Sequence, residues 1–201
     1  MRWIALVLLV AVIAAAAALY GMVAGEGEAE APRSVAAAPA TGDRVVHAVP
    51  DWTAALQRLD PPQAASTEAF TDGDGKALSL ADFKGQGVVL NLWATWCGPC
   101  VTEMPSLNRL QAAVAADGIR VVAVSSDREG MAKVGPFLKK YDLDHLQPYL
   151  DPNGAFQRSM AGQGLPRTFI LNGAGQVVAS YVGPAEWDAP ELIVRVRELA
   201  R

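Results

Sequence analysis

Apolar and polar positions divide the chain into three stretches of different character. Ile4 to Ala24 contains no charged residue and is long enough to cross a hydrocarbon core as a helix. Gly25 to about Pro50 is rich in Ala, Pro, Gly and Glu, with few large apolar side chains, a composition that cannot bury enough surface to fold alone. From Thr67 onward, strand and helix patterns alternate to the end of the chain. Between the tether and this last stretch, Trp52, Leu56 and Leu59 fall on one side of a short helix over Asp51 to Leu59, with Asp51 as cap and Pro61-Pro62 as stop.

Within the last stretch, Ala69-Phe70 and Leu78 to Leu80 flank Thr71-Asp72-Gly73-Asp74-Gly75-Lys76 as a hairpin would. Val88 to Ala94 is a nearly continuous apolar run, as expected of a central strand covered on both faces, with Asn91 as its one polar member. Met104, Leu107, Leu110 and Val114 then form a helical stripe that ends near Asp117-Gly118, and Pro105 is expected to bend that helix. Ile119 to Ser125 reads as a strand, Met131 to Tyr141 as a helix, Pro148 to Leu150 as a short strand and Asn153 to Ala161 as a small helix. Phe169 to Leu171 and Val177 to Val182 form a second hairpin across Asn172 to Gly175. Trp187 to Ala200 closes the chain as an amphipathic helix with Leu192, Ile193, Val196 and Leu199 inward. A βαβ half followed by a ββα half predicts an α/β domain with a mixed sheet and helices on both faces.

The expected organisation is therefore a membrane segment over residues 1–25, a linker over 26–60 and a folded domain over 61–201. A cleaved signal peptide has an apolar core of about 7 to 15 residues, and Ile4 to Ala24 exceeds that, so an uncleaved anchor is expected. Arg2 stands before it and Glu26, Glu28 and Glu30 after it. Positive charge stays inside, which puts the domain outside. In a bacterium that is a single-pass inner-membrane protein with its domain in the periplasm or on the outer face. The net charge of −4, with no large basic cluster, makes nucleic acid a poor partner. The Asp72-Gly73-Asp74-Gly75 run fails as a calcium loop, because Lys76 stands where an acid or amide is needed and no distant bidentate Glu follows.

The only two cysteines form one CxxC, Cys97-Gly98-Pro99-Cys100, directly after the apolar run and Trp96. A strand feeding a helix there places Cys97 at the helix N-terminus, where unpaired amides and the helix dipole favour thiolate over thiol. Cys100, one turn on, is placed to attack a mixed disulfide formed at Cys97. Such a dithiol carries two electrons and needs no bound cofactor. Structural zinc would need further ligands, and only His47 and His145 are on offer, so no metal is expected. A structural bridge across so short a loop would restrict little chain entropy.

Asn91-Leu92-Trp93-Ala94-Thr95-Trp96-Cys97-Gly98-Pro99-Cys100, with Glu103-Met104-Pro105 and later Leu165-Pro166-Arg167-Thr168-Phe169, resembles the membrane-anchored TlpA-like thioredoxins and their ResA and CcmG-type relatives. Ser79 to Gly85 and Gly183 to Trp187 are also similar to that family, and the match spans about Thr67 to Ala200. The resemblance implies a thioredoxin fold with an extra N-terminal β-hairpin. It makes Pro166 the family's cis-proline, beside the CxxC, and makes Trp96, Gly98, Pro99, Leu165 and Pro166 the surface that meets substrate. It also gives Glu103 the place of an acid next to the active site, as a proton acceptor or a field on the thiols. Asn91 stands where cytosolic thioredoxins place a buried acid, and an amide cannot take the proton from Cys100. The extra cysteines of TlpA itself are absent, so no second disulfide carries over.

The function expected on these grounds is an extracytoplasmic thiol:disulfide oxidoreductase that reduces protein disulfides. A membrane thiol reductant would supply its electrons, and apocytochromes c or copper-assembly factors of cytochrome oxidase would be its substrates. Two rivals remain. A thiol peroxidase would use a Thr-x-x-Cys loop, but Thr95 is only two residues before Cys97. A Cu(I) chaperone would bind through Cys97, Cys100 and His145, the last of which sits in a polar Asp-Leu-Asp-His stretch.

Overall fold

A computed structural model describes residues 56–161 and 164–201. The membrane segment, nearly all of the linker and residues 51–55 of the expected short helix lie outside the described residues. Eight strands form one sheet: β1 (Gln57–Ala64), β2 (Phe70–Asp72), β3 (Ala77–Leu78), β4 (Gly87–Trp93), β5 (Ile119–Ser125), β6 (Tyr149–Leu150), β7 (Arg167–Leu171) and β8 (Gln176–Val182). Their order across the sheet is β1-β8-β7-β4-β5-β6-β2-β3. The helices are α1 (Gly98–Val114), α2 (Met131–Lys140), α3 (Ala155–Ala161) and α4 (Pro190–Leu199).

The middle strand is the most apolar one. All seven residues of β4 are buried, and it runs parallel to β5 and antiparallel to β7. Alternation along a strand sends successive side chains to opposite faces, and two packed cores result. Val89 and Trp93 join Met104, Leu107, Leu110 and Val114 of α1 and Leu192 and Val196 of α4 on one face. Val88, Leu90 and Leu92 join Phe70, Phe83, Tyr149, Phe156 and Phe169 on the other. Asn91 shares the α1 face with Val89 and Trp93, so its amide is delivered into an apolar interior with 0% exposure.

Helix α1 starts where the sequence predicts and holds Pro105 within its length. It closes in a short 3-10 turn, and Gly118 there adopts the left-handed conformation (φ 72°) that favours glycine. The β2–β3 turn is held by Asp72, whose Oδ1 accepts from the amides of Asp74 (3.0 Å) and Lys76 (2.9 Å). Asn172 does the same between β7 and β8, accepting from the amides of Ala174 and Gln176 at 3.1 Å each.

Two expectations are corrected. Gln57–Leu59 is not the end of a helix but the start of β1, which pairs antiparallel with β8 and carries Pro61 and Pro62 within it. Proline cannot donate to a ladder, and an edge strand tolerates it because one side of the backbone is unpaired. The last helix begins at Pro190 rather than Trp187: Ala189 caps it and Pro190 occupies its first turn, where a missing amide hydrogen costs little. Trp187 is left in the preceding loop, fully buried.

Candidate active site

Cys97 is the N-cap of α1, in extended conformation, and its sulfur accepts from the Cys100 amide at 3.3 Å. The two sulfurs are joined in a disulfide whose Cα atoms are 5.2 Å apart. The pair is asymmetric toward solvent: Cys97 is 7% exposed and Cys100 is 0% exposed. Trp96, 70% exposed, and the exposed Gly98 and Pro99 surround Cys97, while Trp93 is buried and packs at a tilt against the ring of Phe137.

The loop that carries Cys97 out of β4 is fastened by Asp127, which no sequence pattern singled out. Its carboxylate accepts from the Thr95 amide (2.8 Å), the Thr95 hydroxyl (2.6 Å) and the Ser125 hydroxyl (2.7 Å), and it is 1% exposed. The Ser126 amide also donates to the Trp93 carbonyl at 3.0 Å. The C-terminal ends of β4 and β5 are thus tied together just before the cysteines.

At the same end of the sheet, the Leu165–Pro166 peptide is cis. Arg167, which follows, is in register with Leu92 of β4, so Pro166 lies at the sheet end from which Cys97 departs. Pro166 is buried and its carbonyl accepts from the Gly183 amide at 3.0 Å, while Leu165 is half-buried.

Glu103 lies one turn beyond Cys100 on α1 and is 2% exposed. Its Oε1 accepts from the Asn91 side-chain amide at 2.9 Å. Its Oε2 accepts from the Trp187 indole N–H at 2.8 Å and the Ala185 amide at 3.2 Å. Asn91 also donates to the hydroxyl of Thr168, its cross-strand partner in β7, at 3.0 Å, and its own carbonyl oxygen is buried with no donor. Burial pushes the Glu103 carboxyl up from 4.5 to about 7; the hydrogen bonds from Trp187, Asn91 and Ala185 pull it down and do not fully compensate. Tyr181, whose hydroxyl donates to the Pro184 carbonyl at 3.2 Å, is raised by burial and then by the nearby Glu103 charge. A cleft of about 180 Å³ opens beside this network, lined by Thr102, Glu103, Pro184, Ala185 and Glu186.

The sequence-expected residues therefore gather at one end of the sheet: Cys97, Cys100, Glu103, Trp96, Gly98, Pro99, Leu165 and Pro166. His145 stands apart on the loop after α2, where its amide donates to Asn108 and its ring is half exposed. Among the described residues no group of three His, Cys, Asp or Glu is placed to hold a metal ion. The Thr95 hydroxyl, which a peroxidase-like reading would aim at Cys97, is bound to Asp127. Sequence reasoning missed Asp127, Thr168 and the indole of Trp187 as members of the site. The last two lie inside stretches that carry the family resemblance, yet nothing in their spacing marks them as partners of Asn91 and Glu103.

A redox-active disulfide capping the helix that leaves the central strand, with a cis X-Pro bond opening the neighbouring antiparallel strand, defines a thiol-disulfide oxidoreductase of the thioredoxin fold. The chain belongs to the Redoxin family, whose model matches residues 44–193, and within it to the ResA/CcmG type. It is 34% identical over 127 residues to the thiol-disulfide oxidoreductase ResA of Bacillus thuringiensis subsp. konkukian, covering 63% of this chain and 72% of that one. The ResA of Bacillus subtilis is 35% identical over 112 residues, covering 56% and 62%. Among solved structures, a protein described as a thiol:disulfide interchange protein DsbE from Chlorobium tepidum superposes with a TM-score of 0.60 at 29% identity, over 71% of this chain and 99% of the other.

Proposed function

We propose that the protein works outside the cytoplasm as a reductase of protein disulfides. The observation that carries the mechanism is the asymmetry of the pair: Cys97 reaches the surface at a helix N-terminus, whereas Cys100 is sealed beneath it with Glu103 one turn on. In the reduced protein the Cys97 thiolate attacks a substrate disulfide, and one substrate sulfur leaves as thiolate. Cys100 gives its proton to the Glu103 carboxylate and attacks Cys97 Sγ, which releases the second substrate sulfur. The protein is left with the Cys97–Cys100 disulfide and a proton on Glu103, and the substrate has gained two electrons as two thiolates, which take up protons from Glu103 and from water. No bound cofactor is needed.

The Gly98-Pro99 dipeptide is the one thioredoxin has, and thioredoxin is strongly reducing, at about −270 mV. An oxidising compartment cannot re-reduce such a pair, so a membrane thiol reductant is its electron donor. Residues 1–25 anchor it in a bacterial inner membrane beside that donor, with residues 61–201 in the periplasm or on the outer face. Its substrates are the CxxCH haem sites of apocytochromes c or the copper-binding cysteines of oxidase assembly proteins, met through Trp96, Gly98, Pro99, Leu165 and Pro166.

The test is the reduction potential of the full chain, titrated against glutathione or dithiothreitol and read from tryptophan fluorescence. A value near that of thioredoxin is expected. One near about −120 mV would make the protein a disulfide donor and sink the reading.

A further inference from the structure

Three residues spaced three apart on α1, Glu103, Ser106 and Arg109, all hold the loop Ala185–Asp188. Positions i, i+3 and i+6 lie along one side of a helix, so this loop is laid against the active-site helix over two turns. Arg109 pairs with Asp188 through two nitrogens, and the Ser106 hydroxyl accepts from the Trp187 amide at 3.1 Å. Closest to the cysteines, Glu103 accepts from Ala185 and Trp187. The Trp187 indole is 0% exposed, and Tyr181 packs edge-on against it at 5.8 Å. Its ring plane is thus fixed by packing, and its one polar atom is spent on the carboxylate.

We propose that Trp187 is a positioning residue for the exchange chemistry: its indole N–H holds the Glu103 carboxylate in place and ionised, ready to take the Cys100 proton. The proposal rests on the proton-acceptor role given to Glu103 above. An indole N–H donates and cannot accept, so it binds the carboxylate form and disfavours the acid on that oxygen. The Ala185 amide, on the same oxygen, has the same preference. Asn91 is different, because its amide can turn and offer its unpartnered carbonyl oxygen to a protonated Glu103. The charged or titratable groups facing Glu103 are Cys100 on its own helix, Tyr181 from β8 and Glu186 across the cleft; Asn91 of β4 and Thr168 of β7 are neutral. No cation faces Glu103 among the described residues, so donors such as Trp187 are what keeps the charge.

The test follows oxidation of the reduced full chain by oxidised glutathione between pH 5 and 9, in the parent protein, Trp187→Phe, Glu103→Gln and the double variant. In the parent, collapse of the mixed disulfide should slow as Glu103 is protonated. In Trp187→Phe that limb should move up by about one pH unit. In Glu103→Gln it should vanish, and adding Trp187→Phe should change nothing further. A Trp187→Phe profile that superimposes on the parent, while Glu103→Gln loses the limb, overturns the proposal and leaves the role of Glu103 standing. A limb retained in Glu103→Gln removes the role of Glu103 itself. Should Trp187→Phe not fold, the Trp187 indole N–H resonance of the unaltered reduced protein gives the same answer. It should titrate with the midpoint of the kinetic limb, and a resonance flat across that range overturns the proposal.

Discussion

The side-chain amide of Asn91 donates to Glu103 Oε1 across 2.9 Å, joining the central strand to the active-site helix where both side chains are buried. The strand's alternation puts Asn91 on that face, and helical periodicity puts Glu103 one turn past Cys100. Among the described residues no cation stands beside either, and the carboxyl group is held by neutral donors.

Stability of the oxidised protein should therefore depend on Glu103 with an unusual sign. Its carboxyl sits at about 7 when folded and near 4.5 when exposed, so between those values the folded state binds a proton that the unfolded state does not. Stability falls as pH rises through this window, by about 3 kcal/mol once the group is ionised. Glu103→Gln should then be more stable than the parent at pH 8 by a similar amount and nearly equal to it at pH 4.5. Urea denaturation at the two pH values reads this directly; a parent protein more stable than the variant at pH 8 would refute it.

The division of labour between the cysteines predicts two different failures. Cys97→Ser should abolish disulfide reduction, since of the two cysteines Cys97 is the one that reaches the surface. Cys100→Ser should leave Cys97 able to attack but unable to be released, and should accumulate a mixed disulfide with substrate. Non-reducing gels and intact mass after reaction with a disulfide-bonded protein distinguish the two. Accumulation in Cys97→Ser instead would reverse the assignment.

Asp127 gathers three donors onto one buried carboxylate, two of them from Thr95, directly ahead of Trp96 and Cys97. Asp127→Ala leaves those donors buried and unpaired, at a cost of about 3 kcal/mol or more. Asp127→Asn keeps one acceptor and should lose less. Thermal unfolding of both variants, alongside the rate of Cys97 alkylation in the reduced state, checks this. Equal melting temperatures for the parent and the alanine variant would contradict it.

How much of this was legible beforehand follows from what each feature depends on. The apolar run Val88 to Ala94 and the stripe from Met104 to Val114 are dictated by burial, which writes a periodic pattern into the sequence, and both elements lie where that pattern puts them. The CxxC announced its chemistry through its position between them. β1 was illegible because an edge strand holding Asp60-Pro61-Pro62 has neither alternation nor β-branched residues; it is made by backbone pairing to β8, a partner more than 100 residues away. Trp187 read as helix because it directly precedes the apolar stripe of Leu192, Ile193, Val196 and Leu199, whereas its place is decided by Pro190 and by a hydrogen bond to a residue 84 positions earlier. Asp127 and Thr168 were missed for the same reason: their partners are distant in sequence, and single polar residues carry no period.

Asn91 offers the sharpest test of the network, because replacing it with aspartate changes one atom type and nearly no volume. The Asn91 amide nitrogen faces Glu103 Oε1 at 2.9 Å, so Asn91→Asp brings two carboxyl groups into contact with both residues at or below 2% exposure. Two such groups cannot both ionise at neutral pH; they share a proton, and the pair titrates with two apparent pKa values, the upper one above that of Glu103 alone. At pH 5 the shared proton bridges the oxygens and the variant should be tolerated. Each pH unit by which the upper value is displaced then removes about 1.4 kcal/mol from stability at alkaline pH, where both groups must lose their protons. The stability of Asn91→Asp should accordingly fall more steeply than that of the parent between pH 5 and 9, and Asn91→Asp combined with Glu103→Gln should restore the shallower slope. Parallel curves for parent and Asn91→Asp would mean that the two side chains are not coupled, and the link between strand and helix would fail with them.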